Sequence, residues 1–121
     1  MRQFDHEKLQ VYQSSIAFVC WTSELLQSIP KSVAAQKQLD RASTSIPLNI
    51  AEGNGKFTSA DRCKYFDNAR ASALECAAAL DVIVAKRLVE TAQVERGKSN
   101  LVEIVSMLVG LIKANSDERS F

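Results

Sequence analysis

The sequence predicts an all-α protein, an up-down-up-down antiparallel four-helix bundle whose second helix is bent at Pro47. Three observations predict it. Apolar residues recur at intervals of three and four through four long stretches, the period of one helical face. The chain holds only four glycines and two prolines, too few for the frequent turns of an all-β fold. The breaks between the periodic stretches are short, so successive helices return antiparallel. The 121 residues are read as one domain, 1–121, with helices at about 5–29, 33–52, 59–88 and 92–114.

Asp5 is placed as the N-cap of the first helix, and Pro30 stops it after Ile29. Leu9, Tyr12, Ile16, Val19 and Leu26 keep three-four spacing and are read as its core seam. Val11, Phe18 and Leu25, seven apart, make a second stripe, which means either a wide core contact or a subunit interface. Ser32 is the expected cap of the second helix. There Leu39, Ala42, Ile46 and Ile50 form the apolar face, while Arg41, Ser45, Asn49 and Glu52 form a polar stripe on another. Pro47 cannot donate to the carbonyl of Ser43, and its ring crowds that turn. Gly53 and Gly55 are expected to supply left-handed conformations that end the helix.

Thr58 to Asp61 reads as a capping box for the third helix, whose seam is Phe66, Ala69, Ala73, Cys76, Leu80 and Ile83. Its alanines let a neighbouring backbone approach closely. Thr91 is the expected cap of the fourth helix, with Val94, Leu101, Ile104, Leu108 and Leu111 as its seam and Val102, Val105, Val109 and Ile112 widening it. Gly97 and Gly110 weaken that helix by about 1 kcal/mol each relative to alanine, so packing must compensate. The polar tail from Asn115 to Phe121 is expected to fray.

Composition narrows the function classes. A net charge of +1 provides no overall field toward nucleic acid or anionic membrane, so such binding needs a local patch. Cys20, Cys63 and Cys76 are far apart, without the spacing of a zinc site or a redox pair, and their odd number argues against a disulfide framework. The charged start is unlike a signal peptide, and no apolar run is long enough to span a membrane, so a cytoplasmic location is expected. His6 is the only histidine, which rules out Ser-His-Asp, Cys-His and histidine-metal constellations. Gly53 and Gly55 follow a helix instead of preceding one, so they make no phosphate loop. No enzyme, cofactor or metal is expected.

The polar stripe is the informative feature. In an antiparallel pair joined by a short turn, residues of the second and third helices whose numbers sum to about 115 lie side by side. This places Arg41 beside Glu75, Ser45 beside Arg70, and Glu52 beside Arg62 or Lys64. Two readings stay open. Arg41, Ser45, Asn49, Glu52, Arg70 and Glu75 form a structural network that fixes register, or Arg41, Lys56, Arg62, Lys64 and Arg70 form a local basic surface for phosphate. Phe57 and Tyr65 are then either stacking surfaces or core.

The run from Arg41 through Ser45-Ile-Pro-Leu-Asn-Ile-Ala-Glu-Gly53 to Lys56 closely resembles a signature of the four-helix-bundle proteins encoded in 23S ribosomal RNA intervening sequences. So do Asp61-Arg62, Phe66, Ala69-Arg70-Ala71-Ser72-Ala73 and Glu75. Accessory proteins of diversity-generating retroelements are relatives of that family. The resemblance implies an up-down-up-down bundle that forms a ring-shaped homopentamer, without enzymatic activity or cofactor, and that binds RNA or DNA. Lys56 stands where the family often has arginine, which keeps the charge but loses bidentate geometry. Ala71 stands where it has glycine. The function expected is therefore a non-enzymatic self-assembling bundle that binds RNA or other nucleic acid through its local basic surface. The alternative is a homo-oligomeric protein-interaction scaffold whose polar stripe is structural only.

Overall fold

A computed structural model describes residues 3–116 of the chain. It contains a 3-10 turn, Asp5–Lys8, and four helices, α1 (Gln10–Leu26), α2 (Ala34–Asn54), α3 (Ser59–Ala85) and α4 (Thr91–Ala114). Among the described residues there is no strand. α1 touches α2 and α4, and α3 touches the same two, while the diagonal pairs do not meet. Contacts between neighbours run in opposite senses. Arg41 meets Glu75 near the start of α2 and Gly53 meets Phe66 near its end; Asp81 meets Lys98 and Cys63 meets Ile112. The arrangement is the predicted antiparallel bundle, and only part of the expected fraying tail lies inside the described residues.

α1 departs most from expectation. It begins at Gln10, because the chain before it folds back as a separate turn. The Phe4 N–H donates to Glu7 Oε2 at 2.6 Å, and Leu9 is extended. The Asp5 carboxylate accepts from Asn54 Nδ2 at 3.0 Å, and the His6 ring stacks with Phe4 and meets Tyr12 edge-on. Asp5 therefore ties this turn to α2 instead of capping α1. At the other end the pattern shifts to 3-10 bonds, Ser28 N–H to Leu25 and Ile29 N–H to Leu26, as expected ahead of Pro30, which disfavours helical backbone at Ile29.

Of the two readings open for the second stripe of α1, core contact is the one the structure supports, and that stripe lies deeper than the expected seam. Val11, Phe18 and Leu25 are core, and Ser15 and Thr22 complete their stripe. Of the expected seam only Leu26 is buried; Leu9, Tyr12 and Val19 are partly covered and Ile16 is 44% exposed. Two hydroxyl residues hid the core face. Ser15 is compatible with burial because its Oγ donates to the Tyr12 carbonyl at 2.7 Å, a local bond that replaces water. Thr22 Oγ1 is buried with no such partner.

α2 runs unbroken through Pro47, which is itself buried. One turn earlier, Ser43 Oγ and Thr44 Oγ1 both donate to the Asp40 carbonyl, the back-bonding that accompanies bent helices. Leu39, Ala42, Ile46 and Ile50 are all core. Val33, not Ser32, occupies the cap position, with no side-chain bond. Neither Gly53 nor Gly55 has positive φ, so the expected left-handed ending is corrected. Helical bonds instead continue to Gly55, whose N–H reaches the Ala51 and Glu52 carbonyls. Gly53 serves close packing: a Cβ there would lie 3.0 Å from the Phe66 ring and from Tyr65 Cβ.

α3 begins as predicted, with the Asp61 N–H donating to Thr58 Oγ1 at 3.2 Å. Its whole predicted seam is buried. It ends at Ala85, short of Leu88, where Arg87 takes a left-handed φ of 61°. Leu88 N–H then reaches back to Ile83 and Arg87 N–H to Val84, the paired bonds of a Schellman ending that usually carries glycine. α4 is capped at Glu90 instead of Thr91, through a 2.7 Å bond from the Glu90 N–H to Gln93 Oε1.

The two α4 glycines differ. A Cβ at Gly97 would collide with the Trp21 ring, whereas one at Gly110 would meet nothing. Gly97→Ala is therefore expected to lower stability by about 1–3 kcal/mol through overpacking, and Gly110→Ala to raise it by up to about 1 kcal/mol through helix propensity. Urea unfolding of the two variants checks both signs.

Candidate functional site

The polar stripe of α2 faces the outer edge of its seam with α3. Arg41 donates to Glu75 at 3.0 Å, an exposed ion pair. One turn along, Ser45 Oγ lies 2.9 Å from Ser72 Oγ, and Asn49 Nδ2 donates to both the carbonyl and the hydroxyl of Ser45 at 2.9 Å. At the far end the Tyr65 phenol bonds to Glu52, and the adjacent negative charge pushes the phenol above its ordinary pKa of 10.0. Ser45 thus meets Ser72 instead of Arg70, and Glu52 meets Tyr65 instead of Arg62 or Lys64. The register differs from the sequence estimate by a residue or two. Small shared groups let the helix backbones approach at a slightly different offset than uniform rise implies.

The five cations singled out in the sequence do not converge. Arg41 is held by Glu75. Arg70 turns along its own helix, its Nε and Nη2 donating to Asp67 Oδ1 at 3.0 and 2.9 Å. Arg62 is half-buried and works as a tie: Nη1 donates to the carbonyls of Asn54 at 2.8 Å and Lys56 at 3.3 Å, and Nε donates to Asn115 Oδ1 at 2.9 Å. Its guanidinium also lies over the Phe66 ring. Asn115 Nδ2 donates to the Leu111 carbonyl, and Asn54 is bonded to Asp5. One arginine therefore links the N-terminal turn, the α2–α3 turn and the end of α4.

Lys56 and Lys64 remain. Both ammonium groups sit over the Tyr65 ring, at 5.1 and 5.9 Å from its centroid, and neither forms an ion pair among the described residues. Phe57, between them in sequence, is fully exposed. Asn54 and Asn115 are site residues that the sequence reading missed, and the pairing of Ser72 with Ser45 and of Tyr65 with Glu52 was not foreseen. Asn54 and Asn115 stand at helix ends, where asparagine commonly satisfies carbonyls, and that was the available signal.

A second surface lies between α3 and α4, a groove of about 270 Å³ whose lining includes Ala73, Leu74, Ala77, Leu101, Val102 and Val105. Leu74 is 50% and Val102 67% exposed. Metal and thiol chemistry find little footing. Among the described residues no group of three or more histidine, cysteine or acidic side chains is gathered to hold a metal. The Cys76 thiol is pushed up to about 12, first by burial and then by the Glu75 charge, so it stays protonated. No described helix is long and apolar enough to cross a membrane.

With the geometry established, comparison with known proteins places the chain. The family model for the 23S rRNA-intervening sequence protein matches residues 7–110. The chain belongs to that family. A crystal structure of a protein of unknown function from the S23 ribosomal protein family of Bacteroides thetaiotaomicron is similar, with 25% identity and a TM-score of 0.80 over 85% of this chain and 98% of that one. No curated protein matches.

Two outcomes follow for the seam. Arg62→Ala is expected to cost about 1–3 kcal/mol, since it orphans two backbone carbonyls and Asn115, and Arg62→Lys recovers little because lysine lacks the fork. Arg41→Ala, an exposed pair, is expected to cost at most about 1 kcal/mol; thermal unfolding separates them. Tyr65 has its phenol pKa raised in the folded state, so its contribution to stability is intact below pH 10 and is lost as pH rises through the folded value. NMR titration of the phenol is expected to show a lower pKa in Glu52→Gln.

Proposed function

We propose that this intervening-sequence family member is a non-enzymatic cytoplasmic bundle that assembles with copies of itself into a ring and serves as a binding platform. The observation that supports assembly is the α3–α4 groove. Leu74 and Val102 leave apolar surface open on a small chain, and alanines on the groove floor give a partner helix room to approach. Ile16 is the complementary feature, an exposed apolar side chain on α1. A contact between two different faces is heterologous and closes into a ring when its rotation permits, which agrees with the pentamer implied by the resemblance. On this reading the polar seam is structural, since Arg41, Ser45, Asn49, Arg70 and Glu75 all have partners inside the bundle.

Nucleic-acid binding is a second activity of the same assembly, and the specific support for it has narrowed. Of the five expected cations, Lys56 and Lys64 are the two not committed to a carboxylate or to backbone carbonyls, and both lie at the α2–α3 turn. Light scattering is expected to report a mass well above one chain, with a pentamer as the predicted species. Leu74→Glu and Ile16→Glu are each expected to give monomers with stability changed by no more than about 0.5 kcal/mol, because both sites are exposed in the single chain. A wild-type monomer at micromolar concentration overturns the proposal.

A further inference from the structure

The α2–α3 turn presents an unusual combination. Phe57 is completely exposed, yet it sits in a turn that is held from both sides. Lys56 N–H donates to the Gly53 carbonyl at 3.2 Å, and Arg62 holds the Asn54 and Lys56 carbonyls. Its sequence neighbours Gly55, Thr58, Ser59 and Ala60 are all exposed and none is a large apolar residue. Resting on the nucleic-acid reading above, we infer that this turn takes single-stranded nucleic acid, with one unpaired base stacked on the Phe57 ring and the flanking phosphates met by Lys56 and Lys64.

Three features favour that ligand over others. A protein hot spot needs a surrounding apolar rim that excludes water, and the sequence neighbours of Phe57 supply none. A duplex offers its stacked bases only at its ends, so an aromatic on a turn gains nothing from the sides of a helix, whereas every unpaired base has a free face. A bilayer surface is a poorer match, since a single ring buries little area. The Tyr65 ring does not compete as the platform, because both ammonium groups already lie over it. The turn is also ordered before binding, so little backbone freedom is lost when the base docks.

Fluorescence anisotropy with a short labelled single-stranded RNA, and with the duplex of the same sequence, tests this on the full chain. Circular dichroism confirms that the exposed-site variants fold. The single strand is expected to bind more tightly than the duplex, and Phe57→Ala to weaken it by about five- to a hundredfold, with Phe57→Tyr restoring it. Two phosphate contacts per copy correspond to a log–log salt slope of about −1.4, which Lys56→Gln/Lys64→Gln should flatten. If both nucleic acids bind equally and only the lysine variant weakens them, phosphate contact stands and the stacking inference is overturned. If neither binds at low salt, the nucleic-acid reading fails and the inference with it. Cosedimentation with anionic vesicles that is lost in Phe57→Ala, without RNA binding, overturns it in favour of a membrane contact.

Discussion

The close approach of α2 and α3 is the constraint on which the other features depend. Gly53 leaves just enough space for the Phe66 ring and Tyr65 Cβ, and Ala42 on α2 and Ala69 on α3 are buried without bulk. With the helices this near, the short side chains on the outer edge can meet directly, and Ser45 and Ser72 do so at 2.9 Å. Larger residues at the floor would separate the hydroxyls and leave only Arg41 and Glu75 long enough to span the gap. Register, polar seam and turn geometry are thus consequences of small residues placed opposite one another. Pro47 fits the same scheme, because it is buried in the packed helix and its missing donor leaves the surrounding turns to be held by tertiary contacts and by the hydroxyls at Ser43 and Thr44.

Much of this was legible in the sequence where chemistry and periodicity agreed. The α3 seam from Phe66 to Ile83 and the α2 face from Leu39 to Ile50 are uniformly apolar or alanine, so counting threes and fours located them. α1 was half read: Val11, Phe18 and Leu25 stood out as a stripe, but Ser15 and Thr22 between them kept it from ranking above the Leu9–Leu26 seam, although a helix can satisfy such a hydroxyl with its own carbonyl, as Ser15 does. The helix ends were the other weak point. Side-chain caps were expected at Asp5, Ser32 and Thr91, but α1 and α2 begin after Leu9 and Val33 with no side-chain cap bond, and α4 begins after Glu90, whose N–H is held by Gln93. Thr58, whose partner is three residues away, was found locally; Glu90 with Gln93 has the same spacing but is not a usual capping type. The α3 ending at Arg87 carried no signal, because a left-handed arginine looks like any other residue in sequence.

The candidate site was half legible. Sequence spacing showed which charged residues would be near the α2–α3 seam but not which way each would turn. Arg70 had Asp67 within one helical turn and Glu75 lay farther along, so the local partner won. Arg62 was counted as a surface cation, yet a guanidinium can serve three acceptors at once, and the carbonyls at a tight turn are acceptors that no residue list displays. Lysines lack that fork, and so Lys56 and Lys64 kept their charge toward solvent beside Tyr65. A net basic excess in sequence therefore overstates an available basic surface whenever the cations are arginines near helix ends.

Two lysines and one exposed ring make a modest site for a single chain, and the proposed assembly would strengthen it. The α3–α4 groove lies along the middle of its helices, from Ala73 to Ser106, whereas the α2–α3 turn lies at the end of the bundle. Copies joined through the groove leave the turns uncovered, and the rotational symmetry of a closed ring sets every turn on the same rim. A strand that reaches one turn is then held near the next, so that repeated weak contacts combine through effective concentration without any new interaction within a copy. In the proposed ring, near-neutral total charge and nucleic-acid binding would be compatible: the basic groups are few per chain, but a ring would repeat them at regular intervals along one edge.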